Sequence, residues 1–313
     1  MDKQHCVLTV AIPTFNGAAT LNKALDSVMS ELEAGVEVLV VDNCSDQDLK
    51  AIFSEHAGRY NNLRYLRNSE NIGFDRNVDL AMREAKGDFV WVLGDDDIIL
   101  PGGIREVLSI IAANPESGAI YVDCPHPIKL PKGAEGVCRG GDDFFARTRF
   151  KNGFVSTNVF NKKLWSEVDV SKYLDTGWVH MGFLMEALPR SPSYVTEHMC
   201  VDYIRDGTAA MRWGADGSFI YAGLKLIRVV RQMPAKFYSR RTRRMAYGTV
   251  KGGYWRNIPL AKAKGLQIGL PLLADFACLY KGFLTFWVFD LPLLLCPSVV
   301  FKILYKLYKS SFR

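Results

Sequence analysis

The chain has 313 residues, 49% of them hydrophobic and 23% charged, with a formal net charge of +6. That is enough length to bury a full core and carry one large domain plus an appendage, at the composition of an ordinary globular protein. Seven cysteines, odd in number and without a Cys-x-x-Cys pair, argue against a disulfide framework or a zinc site and for a reducing, cytosolic setting.

The first predicted strand, Val7 to Ile12, begins within a few residues of Met1, and no signal peptide is expected. It is stopped by Pro13 and followed by Thr14-Phe15-Asn16-Gly17. Leu21, Ala24, Leu25, Val28, Met29 and Leu32 then recur at helical spacing, and a second apolar run, Val36 to Val41, leads into Asp42-Asn43-Cys44-Ser45-Asp46. A right-handed strand-helix-strand unit brings both strand ends to one sheet edge. Further on, Phe89 to Leu93 is five apolar residues running into Gly94 and then Asp95-Asp96-Asp97. Such a run reads as a strand buried on both faces, with its acidic end at the rim where open α/β sheets bind ligands. Clustered carboxylates repel one another, and a hard cation such as Mg²⁺ or Mn²⁺ relieves this. A solvated acidic turn before a helix near Pro101 would give the same letters. A plain turn at Pro13 to Gly17 and a helix cap at Asp42 and Asn43 are likewise open.

Beyond this half, Pro125, Pro127, Pro131, Gly133 and Gly136 mark loop or edge-strand chain. Phe154 to Phe160 alternates as a strand with polar residues toward a cleft. The turn Asp175-Thr176-Gly177 precedes a helical stretch with His180, Phe183, Leu184, Glu186, Ala187 and Leu188. His180 is a competent general base near neutral pH, and a hydrogen-bonded structural histidine is its alternative. Charge is divided unevenly. Residues 1–216 hold 22 Lys+Arg against 31 Asp+Glu, and residues 217–313 hold 17 against 2. No nucleic-acid motif accompanies the basic tail, so no nucleic-acid partner is expected. The apolar stretch Phe276 to Phe301 is broken by Asp290, Pro292 and Pro297 into pieces shorter than the ~20 residues of a spanning helix. Lys302, Lys306, Lys309 and Arg313 then alternate with apolar and aromatic residues. This pattern suits helices lying in the interface of an anionic membrane, or else a packed hairpin.

Val10-Ala11-Ile12-Pro13-Thr14-Phe15-Asn16, Val40-Val41-Asp42-Asn43-Cys44-Ser45-Asp46, Asn71-Ile72-Gly73-Phe74-Asp75-Arg76-Asn77 and Gly87-Asp88 leading to Asp95-Asp96-Asp97 together resemble family 2 of the GT-A nucleotide-sugar glycosyltransferases. The resemblance implies an α/β fold with a Rossmann-like, mostly parallel sheet flanked by helices. Residues 1–125 would be the nucleotide-sugar-binding half, 126–216 the acceptor-binding half, and 217–313 a helical membrane-associating appendage. It implies an inverting transfer from a nucleoside-diphosphate sugar to a hydroxyl of a lipid-linked oligosaccharide, at the cytosolic face of a bacterial inner membrane. Donor binding would then fall to Pro13, Thr14, Phe15, Asn16, Asp42, Asn71, Gly73, Arg76, Asp95 and Arg205. Asp96 and Asp97 would hold Mn²⁺ or Mg²⁺. Many relatives carry Asp where Gly94 stands, and their Ala-Arg-Asn lies two residues later than Arg76-Asn77. The usual Glu-Asp pair of the general base is absent; by position His180 is the first candidate, then Asp175 and Glu186. Rival readings are a non-catalytic nucleotide-sugar-binding scaffold and transfer directly to a polyprenyl phosphate. A nucleotidylyltransferase would want a basic loop after the first strand, and a dinucleotide oxidoreductase a Gly-x-Gly-x-x-Gly, and both are missing.

Overall fold

A computed structural model describes residues 5–58, 60, 62–125, 129–204, 219–252 and 254–310. The chain divides into two compact units, Met1–Ala209 with Pro234–Ser239, and Ala210–Met233 with Arg240–Arg313.

In the first unit the apolar runs become strands because every residue in them is buried, which a strand covered on both faces requires. β1 (Leu8–Thr14) and β2 (Val36–Asp42) are buried throughout, and β4 (Phe89–Val92) likewise. Between β1 and β2, α1 (Leu21–Met29) buries Leu21, Ala24, Leu25, Val28 and Met29, the stripe its spacing predicts. α2 (Leu49–Ala57), β3 (Leu63–Arg67) and α3 (Phe74–Glu84) follow β2. After β4 come β5 (Asp97–Ile99), α4 (Gly103–Ala113), β6 (Ala119–Asp123), β7 (Gly136–Cys138), α5 (Gly141–Thr148), β8 (Asn158–Asn161), α6 (Lys162–Glu167), α7 (Val179–Ala187), β9 (Ser193–Met199) and β10 (Val201–Tyr203).

An eight-stranded sheet runs in the order β3-β2-β1-β4-β8-β6-β9-β7, and β10 pairs with β5 in a separate ribbon. β3, β2, β1 and β4 are mutually parallel, while β8 enters antiparallel to both β4 and β6. The carboxyl ends of β1, β2, β4 and β6 therefore share one edge. The seven-residue strand expected at Phe154 to Phe160 is shorter. Val155–Thr157 is a 3₁₀ turn, and only Asn158–Asn161 pairs. The cause is local: Asn158 Nδ2 donates to the carbonyls of Asn152, Phe154 and Val155, which holds the preceding backbone in a turn.

The second unit is helical: α8 (Phe219–Arg231), α9 (Arg240–Gly252), α10 (Tyr254–Ala263), α11 (Leu270–Tyr280), a π-helical turn Phe286–Asp290, α12 (Leu291–Leu295) and α13 (Ser298–Ser310). It has its own apolar core, including Ile220, Leu224, Ile258, Phe276 and Phe286. Among the described residues no single helix is long and apolar enough to cross a membrane. Phe286–Leu295 and Ser298–Tyr308 together have the composition, but they are bent by 86° at the break between them.

Candidate functional site

Parallel register sets Thr14 beside Asp42, and Asp42 beside Arg67, at the shared edge. Asp42 is fully buried. Its Oδ1 accepts from the Ser45 N–H (2.9 Å) and hydroxyl (2.6 Å), and its Oδ2 accepts from Tyr65 Oη (2.6 Å) and Arg67 (2.5 Å). A carboxylate offers about four acceptor positions, so the protein fills all of them. Asp42, expected among the donor-binding residues, anchors the loop after β2. Burial pushes its carboxyl up, but the bonds from Ser45, Tyr65 and Arg67 outweigh this and hold it below the ordinary value. Arg67 and Tyr65 are partners the sequence reading missed.

Around that anchor lies a ladder of amides. Asn43 Oδ1 accepts from Asn68 Nδ2 and from the Ile72 N–H, and Asn71 Oδ1 accepts from Asn43 Nδ2 and the Gly73 N–H. Asn77 closes it, accepting from Asn68 and donating to the Val41 carbonyl. Gly73 sits at φ 82°, a left-handed conformation that lets the chain turn into α3. On the other side Asn16 accepts from the Asp46 N–H at 2.9 Å and its own N–H donates to Ser45 Oγ. Pro13 and Thr14 are buried within β1, whereas Phe15 presents its ring to solvent. The expected residues Pro13, Thr14, Phe15, Asn16, Asn71 and Gly73 thus do come together.

The acidic triplet is not a solvated turn. Asp95 and Asp97 are buried and Asp96 is half-buried. Thr14 Oγ1 donates to Asp95 Oδ2 at 2.5 Å. A side chain at Gly17 would collide with this pair, its Cβ lying 2.2 Å from Asp95 Oδ2, so glycine is required there. Asp97 turns the other way and accepts from Ser156 Oγ at 2.5 Å. Burial, followed by the charge of Asp96, pushes the Asp97 carboxyl up to about 8. The Asp96 backbone carbonyl accepts from the Ile204 N–H at 3.0 Å, tying the triplet to β10.

Among the described residues no group of three or more His, Cys, Asp or Glu side chains is gathered to hold a metal ion. The triplet therefore fits a cation only in the mode where one or two carboxylates share it with substrate phosphates. Asp96, with Asp95 beside it, fits that mode. Asp97, expected as a second ligand, is buried with its Oδ2 bonded to Ser156 and points away from this pair.

On the acceptor side, Asp75 is buried and accepts from the N–H groups of Gly177 (2.6 Å) and Val179 (3.0 Å) at the N-terminus of α7. It was not foreseen as a site residue, although it lies inside the Asn71–Asn77 segment. Beside it Arg76 forms an ion pair with Asp175 at 2.8 Å, and Asp175 occupies a left-handed φ of 68° with a largely exposed side chain. His180 is 2% exposed on the inner face of α7, stacked at a tilt against Trp178. Burial lowers its pKa to about 4. The first candidate for the base is therefore an interior residue and does not face a cleft. Glu186 is also committed, accepting from Lys172 (2.6 Å) and Tyr173 (3.0 Å), which with Arg190 hold it below the ordinary value against the upward push of burial. At the end of β6 a buried ion pair joins Asp123 to Lys151, a pair with no signal in the sequence. Arg205 lies outside the described residues.

A family model described as glycosyl transferase family 2 matches residues 9–162. Abequosyltransferase RfbV of Salmonella typhimurium is 22% identical over 221 residues, 62% of this chain and 64% of that protein. The GalNAc(5)-diNAcBac-PP-undecaprenol beta-1,3-glucosyltransferase of Campylobacter jejuni is 28% identical over 118 residues, 37% and 38% of the two chains. The match thus spans less than two thirds of the length of each relative. S. aureus TarS 1-349 in complex with UDP-GlcNAc shares the fold at a TM-score of 0.61 and 15% identity, over 88% of this chain and 82% of that one. The mannosyltransferase PcManGT from Pyrobaculum calidifontis, in complex with GDP-Man and Mn²⁺, does so at 0.56 and 18%, over 96% and 87%.

Proposed function

Through residues 9–162 the chain belongs to glycosyl transferase family 2, and on that premise we propose that it transfers a sugar from a nucleoside-diphosphate sugar to a hydroxyl of an acceptor. The observation that carries this reading is the gathering of Thr14, Asp42 and the Asp95-Asp96 pair at one edge of a parallel sheet, where such folds bind ligands. The nucleoside would lie across the ends of β1 and β2, lined by the backbone of Pro13 to Phe15 and by the amide ladder that Asp42 anchors. Asp96, with Asp95, would hold Mn²⁺ or Mg²⁺ together with the diphosphate. When bound, the cation neutralises charge that develops on the leaving nucleoside diphosphate. With His180 buried and Glu186 committed, Asp175 is the carboxylate we assign as the base that takes the proton of the acceptor hydroxyl, and the ion pair with Arg76 orients it. The attack would invert the anomeric carbon, as the family resemblance implies. The acceptor we favour is a lipid-linked oligosaccharide of a surface polysaccharide. The printed name of the Campylobacter relative, which acts on an undecaprenol-linked oligosaccharide, supports the lipid linkage, as does the basic second unit.

The test is a thermal-shift screen with UDP-GlcNAc, GDP-mannose and the other common nucleoside-diphosphate sugars, each with Mn²⁺ and with EDTA. A ligand of the folded state raises the melting temperature. At least one sugar nucleotide should do so, more strongly with Mn²⁺, and Asp96→Asn should remove the metal-dependent part. Absence of any shift across the panel would overturn the reading.

A further inference from the structure

Twelve of the twenty exposed large hydrophobic side chains among the described residues fall between Phe283 and Tyr308. Leu284 is 78% exposed, Trp287 53%, Phe289 58% and Leu307 58%. Water-soluble surfaces rarely concentrate apolar side chains in this way unless something covers them. The charged residues exposed among or beside them are cationic: Lys281, Lys302 and Lys306. The two acids between residues 217 and 313 do not offset them at the surface, since Asp275 is paired with Arg228 and Asp290 is buried. A second copy of the chain would bring one basic face onto another, and an acidic apolar surface suits it better.

The bend in this region has its own support. Lys262 on α10 is 2% exposed, and its ammonium donates to the carbonyls of Leu293 (3.2 Å), Leu294 (2.6 Å) and Cys296 (2.5 Å). It also lies 5.6 Å from the ring centre of Phe301 on α13. One buried cation therefore satisfies the carbonyls left open where α12 ends, and touches the helix on the far side of the break. Irregular backbone is tolerated at membrane depth only when its polar groups are satisfied within the protein. The arms on either side, Phe286–Leu295 and Ser298–Tyr308, would extend roughly 15–17 Å each at helical rise, about half the thickness of a hydrocarbon core.

We propose that the second unit docks on an anionic phospholipid bilayer as a re-entrant wedge. Trp287, Phe289, Leu284 and the apolar face of α13 enter the acyl boundary of one leaflet, and Lys262 keeps the bend closed. This goes beyond the transferase reading and does not depend on it. The test is flotation of the full chain with vesicles of phosphatidylcholine alone and of phosphatidylcholine mixed with phosphatidylglycerol. Binding should require the anionic lipid. The combined variant Leu284→Ser, Trp287→Ser, Phe289→Ser should lower it by at least about tenfold, since burying one large apolar side chain already contributes that much. Those side chains are exposed, so an unchanged circular-dichroism spectrum and an unchanged urea midpoint would show that the fold is intact. With the accessible Cys6, Cys44, Cys278 and Cys296 first replaced by serine, a thiol introduced by Ser310→Cys should react with an impermeant maleimide added on the outside, as it would with a wedge. Flotation unaffected by the triple variant, or equal on neutral lipid, would overturn the proposal. So would protection of the introduced thiol, which means a span, or concentration-dependent dimerisation without lipid binding.

Discussion

Ser156 Oγ donates to Asp97 Oδ2 at 2.5 Å while accepting from the N–H of Gly94 at 2.9 Å. A single hydroxyl from the 3₁₀ turn before β8 thereby closes the loop that carries the acidic triplet. The geometry also accounts for glycine at position 94. A Cβ there would stand 2.4 Å from Asp97 Oδ2, so an inward Asp97 and a side chain at 94 exclude one another. Ser156→Ala should cost about 1–3 kcal/mol by leaving buried groups unsatisfied. Gly94→Ala should act on the same contact, so the double variant should cost less than the sum of the two. Urea denaturation midpoints of the four proteins check both statements.

Asp42 and Arg67 give a second prediction. Removing one partner of a buried, charge-assisted bond leaves the other uncompensated, at roughly 1.5–3 kcal/mol. Asp42→Asn should destabilise on that scale, and Arg67→Ala, whose side chain is 45% exposed, in the same direction but by less. The Asp42 carboxyl is held below its ordinary value, so its contribution is complete above the unfolded pKa and is lost as pH falls through the folded one. Arg67→Ala should accordingly flatten the acid limb of the stability curve and leave its alkaline limb alone, as read from denaturation midpoints across pH.

His180 predicts a different acid dependence. Its pKa falls from 6.5 unfolded to about 4 folded, so the unfolded chain binds the extra proton between these values. Stability should be level in this respect above about pH 6.5 and decline as pH drops to about 4, by roughly 3 kcal/mol in all. His180→Asn should lose stability at pH 7 yet show a shallower decline below it. A variant whose pH 4–7 slope matches that of the wild type would contradict the buried, neutral imidazole.

The elements most legible in the sequence are those whose hydrophobic pattern is set by burial alone. β1, α1, β2 and β4 lie where the apolar runs and the helical stripe predict. What escaped reading depends on partners fixed by tertiary register. Arg67 meets Asp42 only because β2 and β3 pair in parallel with those two residues opposite. Ser156 reaches Asp97 only because Asn158 folds the preceding chain into a turn. For His180 the structure favours the structural alternative, and the reason is again burial, since Val179 to Met185 is buried at every position. A helix apolar on all sides belongs in the interior, and that signal, present in the letters, outweighs a histidine's aptitude for catalysis.

The last prediction concerns Asp175. It sits in a left-handed backbone conformation, its side chain largely in solvent and paired with Arg76, on a loop whose far end Asp75 pins to α7. A base must be able to meet an acceptor from solvent, and of the three carboxylate and imidazole candidates Asp175 is the one with a largely exposed side chain, Glu186 and His180 being mostly or wholly buried. Asp175→Asn keeps the shape and removes the basicity, so kcat for transfer should fall by roughly 10²–10⁴-fold. The thermal shift produced by the sugar nucleotide should be unchanged, because that ligand would bind at the strand ends. Asp75→Asn should lower kcat as well, but together with stability, since it weakens the bonds to the Gly177 and Val179 amides. The decisive comparison is between Asp175→Asn and His180→Asn in single-turnover assays with the donor found by thermal shift. Loss of the chemical step in the histidine variant alone would return the base to α7; loss in the aspartate variant alone fixes it on the loop that Asp75 holds.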